Sequence, residues 1–379
     1  MPTRKDLART QRARELESEK LRFIGIFMSR FFSEKFAALT PYTPGEQPKE
    51  KKYIKLNTNE SPYAPPKAVV EAAKKAAENA QLYCDPTCSK LVEKASELFG
   101  VDKDMILPTN GSDEILNFAF MAFCDKNTPA IFPDISYGFY SVFAKLHNIP
   151  YREIPLKADF SIDYKDYIKA GGMVVIANPN APTGLALSLS EVEKIVQGNP
   201  DNVVVIDEAY VDFGGESAVA LTKKYENLLV CQTFSKSRSL AGARLGLGIA
   251  NAKLIADLNT IKYSTNPYNV NSMTAEMGYT ALCEQTYFDE KCREICETRE
   301  YTTEKLRELG FDVLPSKTNF LFVQSGEISG RDLYEKLKER GVLVRHFGLE
   351  RIANFNRVTV GTKEEMEIFL AQVREILQK

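Results

Sequence analysis

The chain has 379 residues, of which 44% are hydrophobic and 26% charged, with 49 basic and 51 acidic side chains and a formal net charge of −2. This composition excludes intrinsic disorder, collagen and a small disulfide-stabilised scaffold. The near balance of charge gives no electrostatic reason to expect nucleic acid or an acidic membrane surface as a partner.

Residues 1–50 are predicted to form an N-terminal helical segment and a linker. Positions 4–20 mix arginines with acidic residues, whereas a transit peptide is poor in acids. The apolar run at 21–28 is too short to cross a bilayer, which needs about 20 apolar residues. We therefore expect an amphipathic helix that docks on the body or on a partner subunit, then a proline-rich linker, and no membrane partner.

Beyond the linker, helical and strand patterns alternate, which is typical of an α/β layer fold built on a largely parallel sheet. Helices are predicted over 67–80 and 113–123. Buried strands are predicted over 173–177, 203–206 and 228–231, because these short runs are rich in β-branched residues and flanked by turn signals.

After about residue 290 the pattern changes to long charged helices that alternate with strands such as FLFVQ and RVTVGT. This change predicts a second, smaller α+β domain.

The seven cysteines are scattered and odd in number, which favours free thiols in a reducing cytoplasm. Cys292 and Cys296 share one face of a predicted helix; that spacing suits metal ligands, but packing of the helix is the favoured interpretation. Only two histidines occur and no HExxH motif is present, so a zinc hydrolase or a Ser-His-Asp triad is poorly supported. We predict no metal site.

Three functional side chains are predicted at strand ends or in the glycine turn that follows one. Asp207 ends the strand VVVI, Lys236 follows the strand LLVCQTF, and Arg244 lies in the glycine-containing turn after it. In open α/β sheets, ligands bind outside the carboxyl ends of the strands. We therefore expect these three side chains to face one binding site.

This set of groups matches the needs of pyridoxal 5′-phosphate. The cofactor requires a lysine for its aldehyde and a carboxylate that keeps its ring nitrogen protonated. Its phosphate requires backbone N–H groups at a helix N-terminus together with an arginine. The turn at 110–113, which opens a predicted helix, fits the phosphate.

The lysine segment resembles that of a known family. TFSKS at 233–237 with LAGARLG at 240–246 resembles the lysine motif of the class II aminotransferases of fold type I. NPNAPTG at 178–184 and DEAY at 207–210 resemble the other two markers of that superfamily, in the expected order.

Within that superfamily, LTPYTPG at 39–45 and KLNTNESPY at 55–63 are similar to the opening motifs of the histidinol-phosphate aminotransferase family. The resemblance implies an α/β fold type I transferase with a large domain, in which helices sandwich a mainly parallel seven-stranded sheet, and a smaller α+β domain. The expected large domain spans 78–285, and 51–77 together with 286–379 form the small one.

The resemblance also implies roles for single residues. Lys236 would bind the cofactor covalently and then move a proton, Asp207 would pair with the ring nitrogen, and Tyr210 would donate to the 3′-oxygen. The full set implied for the cofactor is Gly111, Ser112, Asp113, Tyr137, Asn180, Asp207, Tyr210, Ser235, Lys236, Arg244 and, from a neighbouring subunit, Tyr83. The last of these implies a homodimer with shared active sites.

Substrate binding is expected at Tyr42, Arg345 and Arg357. The implied reaction transfers an amino group between L-histidinol phosphate and 2-oxoglutarate in histidine biosynthesis, with imidazole-acetol phosphate and glutamate as products. Arg357 matches an arginine that binds the substrate carboxylate in related enzymes, whereas Arg345 has a surface ion pair as its alternative.

Two other enzyme activities share the cofactor motifs: aromatic aminotransferases and the threonine-phosphate decarboxylase of cobalamin synthesis. A regulator that binds the cofactor without turnover would need an added DNA-binding domain, for which the first 30 residues are too few.

The sequence departs from the superfamily pattern at Ala181. Many relatives have an asparagine there that contacts the 3′-oxygen of the cofactor. Either Asn178 or Asn180 replaces it, or Tyr210 holds that oxygen alone.

Overall fold

The computed structural model describes residues 29–36, 39–48 and 50–378. The chain divides into two units, Met1–Pro41 and Tyr42–Lys379. In the first unit, the described residues contain one 3₁₀ turn, Glu34–Phe36. The predicted N-terminal amphipathic helix lies outside the described residues. Every feature reported below belongs to the second unit.

The strands of the described residues are, in chain order, β1 Ile54–Lys55, β2 Ile106–Thr109, β3 Ala130–Pro133, β4 Tyr151–Ile154, β5 Met173–Ala177, β6 Val204–Asp207, β7 Leu228–Thr233, β8 Gly246–Ala250, β9 Phe311–Val313, β10 Phe320–Ser325, β11 Val342–Leu343, β12 Arg345–His346 and β13 Asn356–Thr359. The helices are α1 Lys67–Ala77, α2 Ser89–Phe99, α3 Ser112–Phe123, α4 Phe139–Leu146, α5 Leu189–Gln197, α6 Ala252–Thr265, α7 Ser272–Cys283, α8 Gln285–Glu308, α9 Gly330–Glu339 and α10 Lys363–Leu377.

Seven strands form the central sheet, in the order β2-β8-β7-β6-β5-β3-β4. All neighbouring pairs from β7 to β4 are parallel, and β8 runs antiparallel to both of its neighbours. Every residue of β5 and β6 is buried, as expected for parallel strands covered by helices on both faces. The predicted α/β fold with a mainly parallel seven-stranded sheet is confirmed.

A second sheet lies in the C-terminal part of the chain, with strands in the order β12-β13-β10-β9 and antiparallel pairing throughout. The charged helices α8, α9 and α10 alternate with these strands, which confirms the predicted smaller α+β part. The parallel pair β1–β11 attaches the segment around residue 55 to this region. The exact domain limits stay a prediction.

Among the described residues, no helix is both long and apolar enough to span a bilayer.

Candidate active site

A cavity of about 280 Å³ opens at the carboxyl ends of β6 and β7. Its wall contains Thr58, Glu60, Ser112, Asp113, Tyr137, Ala177, Ala181, Asp207, Ala209, Tyr210, Thr233, Ser235, Lys236, Ala241 and Arg244. Most of the predicted cofactor residues are therefore in one place. A larger groove of about 1000 Å³ lies along α2, β2 and α6 and contains none of the predicted site residues.

Asp207 ends β6 and is a buried carboxylate at the base of this cavity. The Tyr140 hydroxyl donates to Oδ2 at 2.9 Å, and the Ala209 N–H donates to Oδ1 at 3.2 Å. Burial raises the pKa of Asp207 to about 6, although these hydrogen bonds and the Lys236 charge act in the opposite direction. A cationic partner stabilises a buried carboxylate of this kind, and the protonated ring nitrogen of pyridoxal 5′-phosphate would be such a partner.

The opposite end of the cavity is suited to a phosphate. Helix α3 begins at Ser112, and no side chain of the described residues caps its N-terminus, so its first N–H groups can bind an anion. The Arg244 guanidinium lies beside them and donates to Ser235 Oγ at 3.3 Å. A Cβ at Gly111, whose φ is +82°, would lie 2.6 Å from Arg244 Nη2, and one at Gly246 would lie 2.5 Å from the Ser112 nitrogen. Both glycines are required for this close packing, and the residues present fit pyridoxal 5′-phosphate.

Asp113 connects two other residues of the wall. Tyr137 donates its hydroxyl hydrogen to Asp113 Oδ1 at 2.8 Å, and Arg244 Nη2 lies 3.1 Å from Asp113 Oδ2. Since a carboxylate repels a phosphate, this geometry favours a role in orienting Tyr137 and Arg244 over direct contact with the anion.

Three predicted cofactor residues are not part of the cavity wall of their own chain: Gly111, which directly precedes α3, Asn180 and Tyr83. The amide of Asn180 is buried and donates to the Ile135 carbonyl at 3.0 Å and to Thr183 Oγ1 at 3.1 Å, while Ala181 faces the cavity. Tyr83 is 85% exposed and stacks on Tyr268 with ring centroids 4.7 Å apart.

None of the three predicted substrate residues is part of the cavity wall, but Arg357 lies close enough to Tyr210 and Tyr137 of the wall to interact with them electrostatically. Arg345 and Arg357 face each other in register on β12 and β13. Arg357 Nη2 donates to the Asn57 carbonyl at 2.9 Å, but Nε is buried without a partner among the described residues. Burial lowers the pKa of Arg357, and the charge of Arg345 lowers it further. Tyr42 packs 6.3 Å from the ring of Tyr137.

The structure adds site residues that the sequence analysis did not assign. Tyr140 reaches Asp207 from α4, and no local pattern distinguishes it from an ordinary core tyrosine. Asn59 donates to the Tyr210 hydroxyl at 2.9 Å, and Thr58 and Glu60 line the cavity. Residues 58–60 belong to the opening motif KLNTNESPY, which was the one available signal.

Cys292 and Cys296 pack within the structure. Cys292 is a buried member of the core around β10, and Cys296 Sγ lies 3.4 Å from the Phe213 carbonyl. All seven cysteines are unpaired. Within the described residues, no cluster of three or more histidine, cysteine or acidic side chains is placed to hold a metal ion.

Comparison with known proteins agrees with this geometry. The family model of the class I and II aminotransferases matches residues 51–373. The chain belongs to this family. Aminotransferases of this family depend on pyridoxal 5′-phosphate, so the enzyme is a pyridoxal-phosphate-dependent aminotransferase and the predicted cofactor is confirmed.

Curated relatives give a finer comparison for this aminotransferase. The histidinol-phosphate aminotransferase of Brachyspira hyodysenteriae is 50% identical over 356 residues, covering 93% of this chain and 100% of the relative. That of Clostridium acetobutylicum is 45% identical over 351 residues, covering 92% of this chain and 100% of the relative. The resemblance found in the motifs is confirmed.

Solved structures confirm the fold. Histidinol-phosphate aminotransferase from Sinorhizobium meliloti, in complex with pyridoxal 5′-phosphate, superposes with a TM-score of 0.85 at 22% identity, covering 93% of this chain and 99% of the other. Another histidinol-phosphate aminotransferase from Clostridium acetobutylicum, which is 25% identical and therefore not the relative named above, superposes with a TM-score of 0.79, covering 86% of this chain and 99% of the other.

Proposed function

We propose that this aminotransferase is a histidinol-phosphate aminotransferase. It transfers an amino group reversibly between L-histidinol phosphate and 2-oxoglutarate, which gives imidazole-acetol phosphate and glutamate, in histidine biosynthesis. The observation that carries this proposal is the in-register pair Arg345 and Arg357, of which Arg357 lies close enough to Tyr210 of the cavity wall to interact with it electrostatically. The identity of 45–50% to curated histidinol-phosphate aminotransferases over nearly the whole chain supports it.

When bound, pyridoxal 5′-phosphate supplies an electrophilic carbon for the amine and a ring that withdraws the electrons left when the Cα proton is removed. Lys236 holds the cofactor through its amine and, once released, carries a proton to and from the substrate carbon. Asp207 keeps the ring nitrogen protonated, and Tyr210 donates to the 3′-oxygen. Ser112, Ser235, Arg244 and the first N–H groups of α3 hold the phosphate.

The arginine pair accounts for the anionic end of both substrates. Like charges directly opposite each other on neighbouring strands are destabilising, and an anion between them removes that cost. Neither guanidinium lies within 4.0 Å of a carboxylate in the described residues, so both stay available to a ligand. Histidinol phosphate presents a phosphate and glutamate presents carboxylates, and a planar guanidinium binds both. Tyr42 adds a hydroxyl beside the cavity.

The test of this function is the single-turnover conversion of the cofactor to its amine form, followed in the visible spectrum. Histidinol phosphate should react at a much lower concentration than phenylalanine. Arg345→Gln should lower kcat/KM for histidinol phosphate by about 10–100-fold, because it removes a charge-assisted contact, and should affect phenylalanine less.

Arg340→Gln serves as the matched control, since Arg340 is an exposed arginine at the end of α9. It should leave both reactions unchanged. A wild-type preference for phenylalanine would contradict the proposed substrate and assign the protein to the aromatic aminotransferases. Loss of the substrate's carboxylate as carbon dioxide from threonine phosphate would assign it to the decarboxylases.

A homodimer with shared active sites is also proposed. Tyr83 and Tyr268 form an exposed aromatic pair outside the cavity of their own chain, and such surfaces are typical of interfaces. Mixing Tyr83→Ala and Lys236→Ala subunits should restore activity that neither variant has alone, because one of the two sites in the mixed dimer is then intact. No restoration after subunit exchange would contradict shared sites.

A cytoplasmic location is proposed on the ground that seven cysteines remain as free thiols.

A further inference from the structure

The Tyr210 hydroxyl has a hydrogen-bond donor behind it. Asn59 Nδ2 lies 2.9 Å from the Tyr210 oxygen, and both residues are buried. Tyr210 lines the cavity together with Lys236, whose Nζ lies 5.7 Å from the centroid of the Tyr210 ring. Asn59 is not part of the wall. It therefore reaches the reaction site only through the tyrosine.

The hydrogen bonds around Asn59 determine the orientation of its amide. The backbone N–H of Asn59 can only donate, so Thr359 Oγ1, at 3.0 Å, accepts from it. The one hydroxyl hydrogen of Thr359 is then directed to Asn59 Oδ1, also at 3.0 Å. This leaves the NH₂ group of Asn59 for Tyr210. The Tyr210 oxygen accepts in this bond and keeps its own hydrogen for a partner in the cavity.

Asn59 is held firmly in this position. Its φ of 56° lies in the left-handed region, which asparagine adopts more readily than most residues. Its carbonyl accepts from Asn319 Nδ2 at 3.0 Å. Since Thr359 ends β13 and Asn319 precedes β10, the four-stranded sheet positions a donor against a tyrosine that follows β6 of the central sheet.

The other side of the cavity provides no comparable donor at position 181. Ala181 presents a methyl group there, and the Asn180 amide donates to Ile135 and Thr183. The Asn178 amide is also engaged, since its Nδ2 donates to the Leu187 carbonyl at 3.2 Å. Tyr210 is thus the remaining donor of the alternatives considered for the 3′-oxygen. Anything that changes its donor strength acts directly on the cofactor.

We propose that Asn59 is a positioning residue that acts through Tyr210 to lower the pKa of the Lys236-bound cofactor. A hydroxyl that accepts a hydrogen bond becomes a stronger donor. When the cofactor is bound to Lys236, the lysine nitrogen would carry a proton, and the 3′-oxygen of the cofactor would help to hold that proton. A stronger donor on that oxygen weakens this hold, so the proton is lost at lower pH. The inference rests on the roles proposed for Lys236 and Tyr210 and does not depend on the substrate.

The test is a pH titration of the visible absorbance of the holoenzyme without substrate. Asn59→Asp replaces the NH₂ group by an acceptor that competes for the Tyr210 hydrogen, and it should raise the pKa of the bound cofactor by about 1. Asn59→Gly keeps the left-handed backbone but removes the donor, and it should raise the pKa by a smaller amount. Activity is not needed for either measurement.

Two further variants separate this role from a general effect on folding. In a Tyr210→Phe background, Asn59→Asp should cause no further rise, because the hydroxyl through which Asn59 acts is absent. In an Ala181→Asn background, a second donor reaches the cofactor, and the effect of Asn59→Gly should shrink.

An equal rise with and without the Tyr210 hydroxyl would overturn the proposal, as would unchanged titrations in both Asn59 variants. A wild-type protein without any absorbance of lysine-bound cofactor would contradict the proposed function as well, so the two failures are distinguishable.

Discussion

Lys236→Ala should abolish the visible absorbance of the lysine-bound cofactor and reduce amino transfer by at least about 10⁴-fold, because one side chain supplies both the covalent attachment and the proton transfer. Lys236 lies in the cavity with Asp207 and Arg244. The cofactor's ring and phosphate contacts are unchanged in the variant, so it should still bind the cofactor without a covalent bond. The measurements are the visible spectrum and the intact mass after borohydride reduction, which fixes the cofactor on an amine.

The matched control is Lys253→Ala, an exposed lysine in the first turn of α6. It should keep the spectrum, the mass increase and the activity. A Lys236→Ala protein that still gains the mass of the cofactor on reduction would show that another amine holds it. The assignment of the site would then be wrong.

The strands that carry the site were predictable because the apolar pattern that identifies each strand lies within the strand itself. Parallel strands covered on both faces need continuous apolar runs, and β5, β6 and β7 have them. The ends of these runs place Asp207 and Lys236 at the edge where ligands bind, so two of the main site residues follow from the pattern alone. Strand β8, GLGIA, has two glycines and was not predicted, although it is fully buried.

The unpredicted parts of the site depend on long-range contacts. Asn59 is oriented by Thr359, which is 300 residues away in the chain, and no local pattern reports that pairing. The direction of the Asn180 amide is likewise determined by Ser136 and Ile135, so a motif match could not tell whether it faces the cavity. The pairing of Arg345 with Arg357 depends on the register between β12 and β13, which no local sequence pattern predicts.

Asp207→Asn should separate stability from function. In the cofactor-free protein, burial raises the pKa of Asp207 to about 6 from an ordinary value of 3.8. Between these two values the unfolded chain releases the proton while the folded chain keeps it, so the stability that Asp207 contributes is lost as the pH rises through about 6. At 1.36 kcal/mol per pH unit, this difference destabilises the folded protein by about 3 kcal/mol at pH 7.

Asparagine removes that cost, since it is neutral and still accepts from the Ala209 N–H. Cofactor-free Asp207→Asn should therefore be more stable than the wild type at pH 7 by up to about 3 kcal/mol, and no more stable below pH 4. Amino transfer should nevertheless fall by at least about 10³-fold, because asparagine cannot keep the ring nitrogen protonated. Denaturant unfolding at pH 4 to 8 and single-turnover kinetics measure the two effects.

Glu208→Gln is the matched control for this variant. Glu208 is the next residue, and burial raises its pKa to about 7, but it does not line the cavity and its oxygens accept from Ser217, Ala218 and Gln232. It should change stability without a large loss of amino transfer. If Asp207→Asn retained activity within about tenfold of the wild type, the ring nitrogen would not depend on Asp207. The free energy of unfolding of Asp207→Asn and that of the wild type should diverge as the pH rises, because the folded wild type keeps a proton on Asp207 that the unfolded chain releases. Two parallel curves at every pH would show that the pKa of Asp207 is not raised.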